Sequence, residues 1–279
     1  MAQYDVVIAY RIYPGVSKQP FVFADDKYKL SDLCLHSLQK SLTGIKARIY
    51  ALLDGCPPEY EELFRKYFND EDIHFVRLNG IGNAATFSMQ IDLLLNQTES
   101  EYIYFAEDDY FYRPECFGAM LNFIKDNSHN SFVTPFDHLD YYQHPLHTEK
   151  CYLSYKHDYH WRTASSTCLT FLTTKETLEK AKNTFLSYTR GNFDASIFFA
   201  LTKAHVYNPK SLFRLVRALL RGNSEPLKLV IAAWFYTARQ ILWGKYYTIW
   251  VPLPSIATHL QYDTIAPAIN WQQEIEQSL

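Results

Sequence analysis

The first 127 residues alternate between two hydrophobic patterns, and this alternation limits the choice of fold more than any other feature. Runs rich in β-branched and aromatic residues, typical of buried strands, are each followed by a stretch with apolar residues at helical spacing. The strand-like runs are residues 4–10, 46–55, 72–79 and 101–109; the helical stretches are residues 29–42, 57–68, 80–97 and 114–127. Four such units predict an α/β fold with a mostly parallel, right-handed sheet flanked by helices.

The second half of the chain is less regular. It predicts a strand and loop over 131–150, two strands and a helix capped near Thr174 over 155–181, a short helix over 192–202, and a strand with an exposed loop over 247–262. In the first half, Ser31 is a candidate N-cap. No repeat or low-complexity linker separates the halves, so we expect a single domain over residues 1–279, with a mixed second half (128–279) and a helical C-terminal region.

Composition excludes several classes of function. The chain has 279 residues, 48% of them hydrophobic, which is enough for a packed core, and its net charge of −3 does not indicate a nucleic-acid partner. Its five cysteines are widely spaced, without a zinc or nucleophile pattern, and suggest reduced thiols in the cytosol. The N-terminus lacks a signal-peptide pattern and no apolar run approaches the roughly 18 residues of a membrane span. We therefore expect a cytoplasmic protein.

Polar residues follow three of the predicted strands. In α/β sheets, ligands bind beyond the carboxyl ends of parallel strands, so these side chains are expected to share one site. They are Arg11 and Tyr13 after the first strand, Asp54 after the second, and Glu107, Asp108 and Asp109 after the fourth.

Three consecutive carboxylates are costly to ionise together unless a cation compensates them. Carboxylate oxygens suit Mg²⁺ and Mn²⁺, which bind through one or two carboxylates plus substrate phosphates. Such an ion neutralises the charge that develops on a phosphate leaving group. The alternative is a solvated acidic turn at the end of a strand.

The stretch "EDDYFYRPECF" (107–117) resembles the E-D-D variant of the D-x-D motif, which follows the fourth strand in GT-A glycosyltransferases. The resemblance extends over about residues 4–125. It implies a Rossmann-like GT-A fold with a nucleotide-sugar-binding half (1–127) and an acceptor-binding half (128–279). It also implies that Asp109 binds Mn²⁺ or Mg²⁺, while Glu107 and Asp108 face the ribose and the donor sugar.

The resemblance implies further donor contacts. Asp54, in "LLDG", corresponds to the acid that contacts the base, and the end of the first strand places Tyr10, Arg11 and Tyr13 near the nucleotide. The segment "NGIGNAATFSMQIDLL" resembles the stretch that leads into the helix before the motif, so Asn83 is expected near the donor.

Two residues of the second half are candidates for chemistry. An inverting transferase needs a general base for the acceptor hydroxyl, and Asp194 has the expected place at a short helix start. An aspartate there is equally an ordinary N-cap. His259 resembles the late histidine that many GT-A enzymes place on the metal or diphosphate, although a lone loop histidine is often incidental.

The acceptor side offers weaker candidates. Trp161 is suited to stack on a sugar and Arg162 to pair with phosphate, but a core tryptophan is an equal alternative. The histidines and aspartates between Asp137 and His147 fit no metal-ligand spacing and indicate an acceptor-side loop. In the basic segment 210–245, Arg214, Arg217 and Arg221 share a helical face beside aromatic residues. This pattern indicates peripheral contact with the inner membrane face, an ordinary packed helix pair, or arginines that hold an acidic sugar.

We therefore expect a metal-dependent, inverting glycosyltransferase. It would move a sugar from a nucleotide-diphosphate donor to a glycan or lipid-linked acceptor in bacterial surface polysaccharide synthesis. The alternatives are a sugar nucleotidyltransferase, for which "RIYPGVSKQP" is a poor match to the usual Gly-rich basic loop, and a non-catalytic nucleotide- or glycan-binding module.

Overall fold

A computed structural model describes residues 3–16, 19–127, 129–147 and 150–278. Its strands are β1 (Val6–Ile12), β2 (Ala47–Asp54), β3 (Ile73–Leu78), β4 (Tyr102–Glu107), β5 (Tyr110–Tyr112), β6 (Ser131–Val133), β7 (Leu153–Lys156), β8 (Tyr159–Ala164), β9 (Phe171–Thr174), β10 (Thr248–Leu253) and β11 (Ala257–His259). Its α-helices are α1 (Lys27–Ser41), α2 (Glu59–Arg65), α3 (Asn83–Asn96), α4 (Cys116–Asp126), α5 (Asp140–Gln143), α6 (Lys175–Phe185), α7 (Asp194–Thr202), α8 (Pro209–Leu220), α9 (Glu225–Trp243) and α10 (Trp271–Ser278).

A nine-stranded mixed sheet, in the order β3-β2-β1-β4-β9-β6-β10-β8-β7, runs through both halves of the chain. The first four strands are parallel, as the alternation predicts, and β9 pairs antiparallel with β4. Separately, β5 and β11 form a two-stranded antiparallel sheet. The α/β fold is therefore confirmed, with the parallel part confined to the first half and to the β6–β10 pair.

The strand β1 lies inside the sheet between β2 and β4, and every one of its residues is buried. Alternate side chains point to opposite faces of a strand. Val6, Ile8 and Tyr10 pack in a core beneath α1, α2 and α4, whereas Val7 and Ala9 pack in a second core with α3, α6 and α7. Helices on both faces thus fix β1 in place and bring its carboxyl end to the sheet edge.

The elements predicted in the first half lie within three residues of their predicted bounds. The N-cap of α1 is Asp26, whose side chain accepts the Lys29 amide, so the prediction of Ser31 was wrong. Thr174 caps α6 as predicted, through its side chain and the Thr177 amide. His259 belongs to β11 rather than to a loop, and α10 was not predicted. In the described ranges, no helix is both long and apolar enough to cross a membrane.

Candidate active site

A cavity of about 520 Å³ lies at the carboxyl ends of β1, β2 and β4. The starts of α1 and α3 close its sides, so segments distant in sequence meet there. Its lining residues are Arg11, Ile12, Tyr13, Gly15, Lys27, Asp54, Gly80, Gly82, Asn83, Thr86, Glu107, Asp108 and Asp109. The three acids and most of the predicted donor residues are therefore brought together; we call this the donor cavity.

Glu107 is held by protein partners on both carboxylate oxygens. One oxygen pairs with the Arg11 guanidinium, which also donates to the Asn83 side chain. The other accepts from Thr170 Oγ1 at 2.7 Å. Glu107 therefore fixes the Arg11 side chain at the cavity wall.

Asp108 forms an ion pair with Lys27, at 2.8 Å between Oδ2 and Nζ, and accepts the Tyr13 amide at 3.0 Å. Burial raises the pKa of Asp108, and the charge of Lys27 opposes this. Burial likewise disfavours the Lys27 ammonium, but Asp108 outweighs it and raises the lysine pKa. The pair thus places two opposite charges in the cavity wall.

Asp109 lies against His259, with 2.8 Å between Oδ2 and the histidine Nε2. The β5–β11 pairing places His259 opposite Tyr110, the residue after Asp109. It thereby brings His259 to Asp109, although 150 residues separate these two in the sequence. Burial alone would raise the pKa of Asp109. His259, Lys27 and Arg11 reverse this and hold the pKa below its ordinary value. Asp109 is therefore an ionised carboxylate at the junction of two distant segments.

The side chains of Asp109 and His259 suit a divalent ion only if the substrate supplies the other ligands. Within the described part of the chain, no group of three or more His, Cys, Asp or Glu side chains is arranged to hold a metal. Asp109 Oδ1, however, is buried and has no hydrogen-bond partner there. Because Mg²⁺ is commonly held by one or two carboxylates plus phosphates, Asp109 and His259 fit that kind of site.

Asp54 uses both carboxylate oxygens to hold the turn before α3. They accept the Ile81 amide at 2.7 Å and the Gly82 amide at 2.8 Å. The turn contains Gly80 and Gly82 at φ values of +68° and +84°, which favour glycine. Asp54 lines the donor cavity, but its main visible role is to position the start of α3. Contact with a nucleotide base stays a prediction.

Tyr13 and Tyr10, both predicted near the nucleotide, differ in position. The Tyr13 side chain is 57% exposed at the cavity rim, where its ring is accessible. Tyr10 is fully buried, with its ring edge-on to Phe64 at 5.4 Å between centroids. The prediction of a donor contact for Tyr10 was wrong, because its position in β1 directs the side chain into the core.

A second cavity of about 370 Å³ contains Asp194; we call it the acceptor-side cavity. Its lining residues are His138, Asp140, Tyr141, His144, Leu146, His147, Ser166, Thr167, Cys168, Phe193, Asp194, Ala195, Phe199, Glu225, Leu229 and Thr264. The predicted acceptor-side loop contributes its three histidines. Among these lining residues there are acids and histidines but no lysine or arginine.

Asp194 is the first residue of α7, and its Oδ1 accepts the Ala195 amide at 2.7 Å. The N-cap is Phe193, so Asp194 is not the capping residue. The acceptor-side cavity adjoins the acid triplet. Burial above all, and then the charges of Asp194 and Glu107, raise the pKa of the Cys168 thiol, which lines the same cavity. Thr264, also in this cavity, is 3.2 Å from His259 Nδ1.

Neither of the two acceptor candidates on β8 lines the donor cavity or the acceptor-side cavity. Trp161 is fully buried, stacks on Phe123 at 4.1 Å between centroids, and donates Nε1 to the Lys156 carbonyl. Its prediction as a sugar-stacking residue was wrong, since no ring face is accessible. Arg162 is 8% exposed and lies over the Tyr141 and Tyr142 rings, at the wall of a further cavity of about 340 Å³. Phosphate pairing by Arg162 stays a prediction.

Sequence reasoning missed several residues that hold the site together. Lys27 pairs with Asp108, Thr170 with Glu107, and the Tyr188 hydroxyl accepts from Asn83 at 3.0 Å. Each partner lies at least 63 residues away, so no local pattern could have identified them.

Residues 32–170, about half of the chain, match the family model for glycosyl transferase family 2. No curated protein sequence matches the chain.

Solved structures show distant likeness. Staphylococcus aureus TarS 1-349 in complex with UDP-GlcNAc is 11% identical, with a TM-score of 0.47 over 84% of this chain and 82% of that one. The galactosyltransferase LgtC, in complex with donor and acceptor sugar analogs, is 11% identical, with a TM-score of 0.45 over 98% and 96%. CMP:2-keto-3-deoxy-manno-octonic acid synthetase with CTP is 12% identical, with a TM-score of 0.40 over 78% and 86%.

The family match begins within α1, ends at the residue before β9 and includes the E-D-D motif at the end of β4. The parallel strands and the mixed second half are the arrangement that the motif implied. The chain therefore belongs to the nucleotide-sugar-dependent glycosyltransferases with a GT-A fold.

Proposed function

We propose that this glycosyltransferase uses a divalent metal ion, Mn²⁺ or Mg²⁺, to transfer a sugar from a nucleotide diphosphate to a glycan or lipid-linked acceptor. One observation carries the proposal: Oδ1 of Asp109 is buried and has no hydrogen-bond partner in the described structure, while neighbouring positive groups hold the pKa of this carboxyl below its ordinary value. Asp109 lines the donor cavity, and its partner His259 lies 3.2 Å from the hydroxyl of Thr264, which lines the acceptor-side cavity. A buried charge with an unused oxygen is costly unless a cation binds it.

The donor cavity has room and chemistry for a nucleotide diphosphate. Its volume is within the usual range for small-molecule sites. The exposed Tyr13 ring offers a stacking face for the base. Asn83, fixed by Arg11, begins α3, whose positive dipole end faces the cavity. Glu107 and Asp108, held by Arg11 and Lys27, line the wall at which ribose and donor sugar would lie.

Asp109 and His259 would hold the ion, which neutralises the charge on the leaving diphosphate. The carboxylate would contribute its unpartnered Oδ1, and the imidazole Nε2, which lies 2.8 Å from Oδ2, would be the second protein ligand. The Thr264 hydroxyl, 3.2 Å from Nδ1, then fixes the ring orientation.

Asp194 is the proposed general base, and with it we propose inversion. It lies in the acceptor-side cavity beside Cys168, so the hydroxyl of an acceptor bound in that cavity would be within its reach. Removing a proton there typically accounts for 10² to 10⁴ in rate. We expect Asp194→Asn to bind donor normally and to lose at least about a hundredfold in kcat. Normal turnover in that variant would contradict the assignment.

The proposal also covers the domain organisation, the cellular location and the biological role of the enzyme. Residues 1–279 would act as a single domain, supported by the sheet that both halves share. We place the enzyme in the cytoplasm and in the synthesis of a bacterial surface polysaccharide, a role that rests on the family resemblance.

The decisive experiment is donor turnover with and without Mn²⁺, for a panel of nucleotide sugars. Metal-dependent release of a nucleoside diphosphate supports the proposal. Release of pyrophosphate from a nucleoside triphosphate and a sugar 1-phosphate, assayed in parallel, would indicate a nucleotidyltransferase, and binding without turnover in either assay would indicate a binding module. Asp109→Ala should abolish metal-dependent nucleotide binding, whereas Asp263→Asn, an exposed acid near His259, should not. Unchanged binding by Asp109→Ala would refute the metal site.

A further inference from the structure

The exposed apolar side chains of this protein are concentrated on α8, α9 and their flanks. Half of the large hydrophobic side chains that are exposed in the described structure lie between residues 207 and 246, about a seventh of the chain. They are Tyr207, Phe213, Val216, Leu219, Leu220, Ile231, Phe235, Leu242, Trp243 and Tyr246. We call these residues the α8–α9 face. Large exposed apolar patches on monomeric proteins usually mark interaction sites, so this concentration indicates a binding surface.

The helix α8 has two apolar sides. Leu215 is 2% exposed and packs in a core cluster with Phe199 and Ile241. Successive residues of an α-helix are rotated by about 100°, so Phe213, Val216 and Leu220 form one stripe on the side away from Leu215. Their exposures are 71%, 44% and 83%. Packing on α7 and α9 therefore uses one side of α8 and leaves the other apolar side uncovered.

Basic residues flank this uncovered stripe. Arg217 and Arg221 follow it around α8 by about 40° to 80°, and both are exposed. On α9, Lys228 lies beside Ile231 and Phe235. Residues 207–246 carry seven Lys or Arg and one acid, Glu225, although the whole chain has a net charge of −3. The segment is therefore strongly positive on an otherwise acidic protein.

The apolar stripe and the basic residues together indicate what kind of partner binds the α8–α9 face. In a symmetric dimer the same patch would meet itself, which would bring the basic residues of both copies together at a cost in free energy. An anionic bilayer satisfies both properties, because apolar side chains enter the interface while arginine and lysine contact lipid phosphates.

The acceptor-side cavity is linked to this surface through α9. Glu225 and Leu229 line the cavity, and Ile231 and Phe235 on the same helix belong to the exposed face. A membrane bound at the face would thus lie one helix away from Asp194.

We propose that the α8–α9 face binds an anionic lipid bilayer and that the acceptor is accordingly lipid-linked and reached from the membrane surface. The choice of acceptor rests on the proposed function; the binding of lipid does not.

Vesicle flotation of the full chain tests the proposal. Vesicles of phosphatidylcholine with phosphatidylglycerol should bind the protein, added salt should weaken the binding, and phosphatidylcholine alone should bind less. Phe213→Ser/Leu220→Ser should reduce affinity at least about tenfold. Arg217→Gln/Arg221→Gln should reduce it by about fivefold per residue.

A matched control comes from β7, where Leu153 and Tyr155 are each 64% exposed. Leu153→Ser/Tyr155→Ser should bind vesicles as the unmodified protein does. Absence of binding to anionic vesicles, or equal loss in this control, would overturn the proposal. So would a dimer in light scattering that Phe213→Ser/Leu220→Ser dissociates.

Donor hydrolysis without vesicles separates this proposal from the previous one. It should be the same in Phe213→Ser/Leu220→Ser and in the unmodified protein, since neither residue lines either cavity. If neither protein hydrolyses a donor, the proposed activity fails while lipid binding is still measured independently.

Discussion

Replacing Lys27 by methionine tests whether the acid triplet depends on internal compensation. The Lys27 side chain is 5% exposed and that of Asp108 is 15% exposed, with 2.8 Å between the charged atoms. Removing one partner of a buried ion pair typically costs 3–5 kcal/mol, because the other charge is left uncompensated. Asp108 keeps the Tyr13 amide and some contact with solvent, so we expect the lower value, about 3 kcal/mol.

The corresponding shift in melting temperature follows from chain length. Unfolding entropy near 60 °C is about 2.1 cal/mol/K per residue, or about 0.6 kcal/mol/K for this chain. A loss of about 3 kcal/mol therefore predicts a decrease in Tm of about 5 °C. Urea denaturation of the metal-free protein measures the free energy directly, provided that the transition is two-state.

Two variants make the measurement specific. Lys27→Met/Asp108→Asn removes both charges and should recover more than half of the lost stability, since the pair is then absent rather than broken. Lys29→Met removes the exposed partner of Asp26, at 3.3 Å, and should leave the free energy of unfolding unchanged. The reasoning is refuted if Lys27→Met is as stable as the unmodified protein, or if Asp108→Asn brings it no recovery.

Three further predictions concern residues outside the metal site. Asp54→Asn should lower the free energy of unfolding by about 1–3 kcal/mol, because an amide group then faces two backbone donors. Urea denaturation measures this change. An unchanged free energy of unfolding would contradict the role of Asp54 in holding the turn. Burial raises the pKa of Asp137 to about 6, above the value of about 3.9 in an unfolded chain. Its protonated form therefore favours folding at low pH, and this contribution, about 3 kcal/mol, should disappear between pH 4 and 6 in a stability profile, but not in Asp137→Asn. Thr174→Ala should lower the free energy of unfolding by about 1 kcal/mol, because the N-cap hydrogen bond to the Thr177 amide is lost. Thermal unfolding measures this loss, with Thr173→Ser, a conservative change at the neighbouring residue, as the control.

Local sequence patterns correctly predicted the features that depend on a single helix or strand. The strands and helices of the first half follow from periods of 2 and 3.6 residues, which depend only on which side of an element is buried. The same periodicity does not say how deep a strand lies. Tyr10 and Trp161 were interpreted as ligand contacts, yet both are in fully buried positions because helices cover both faces of the sheet. Ser31 has the chemistry of a cap, but α1 begins one turn earlier, at Lys27.

The sequence by itself determined the α/β alternation, the arrival of three acids at the carboxyl end of β4, and the family to which the chain belongs. These are properties of contiguous residues, whose spacing is preserved in any fold. Only the tertiary structure decided that Lys27 neutralises Asp108, that β11 carries His259 to Asp109 across 150 residues, and that α8 keeps an uncovered apolar side. Such contacts depend on where the chain reverses direction and on the order of strands in the sheet. The spacing of side chains along the sequence gives no information about either.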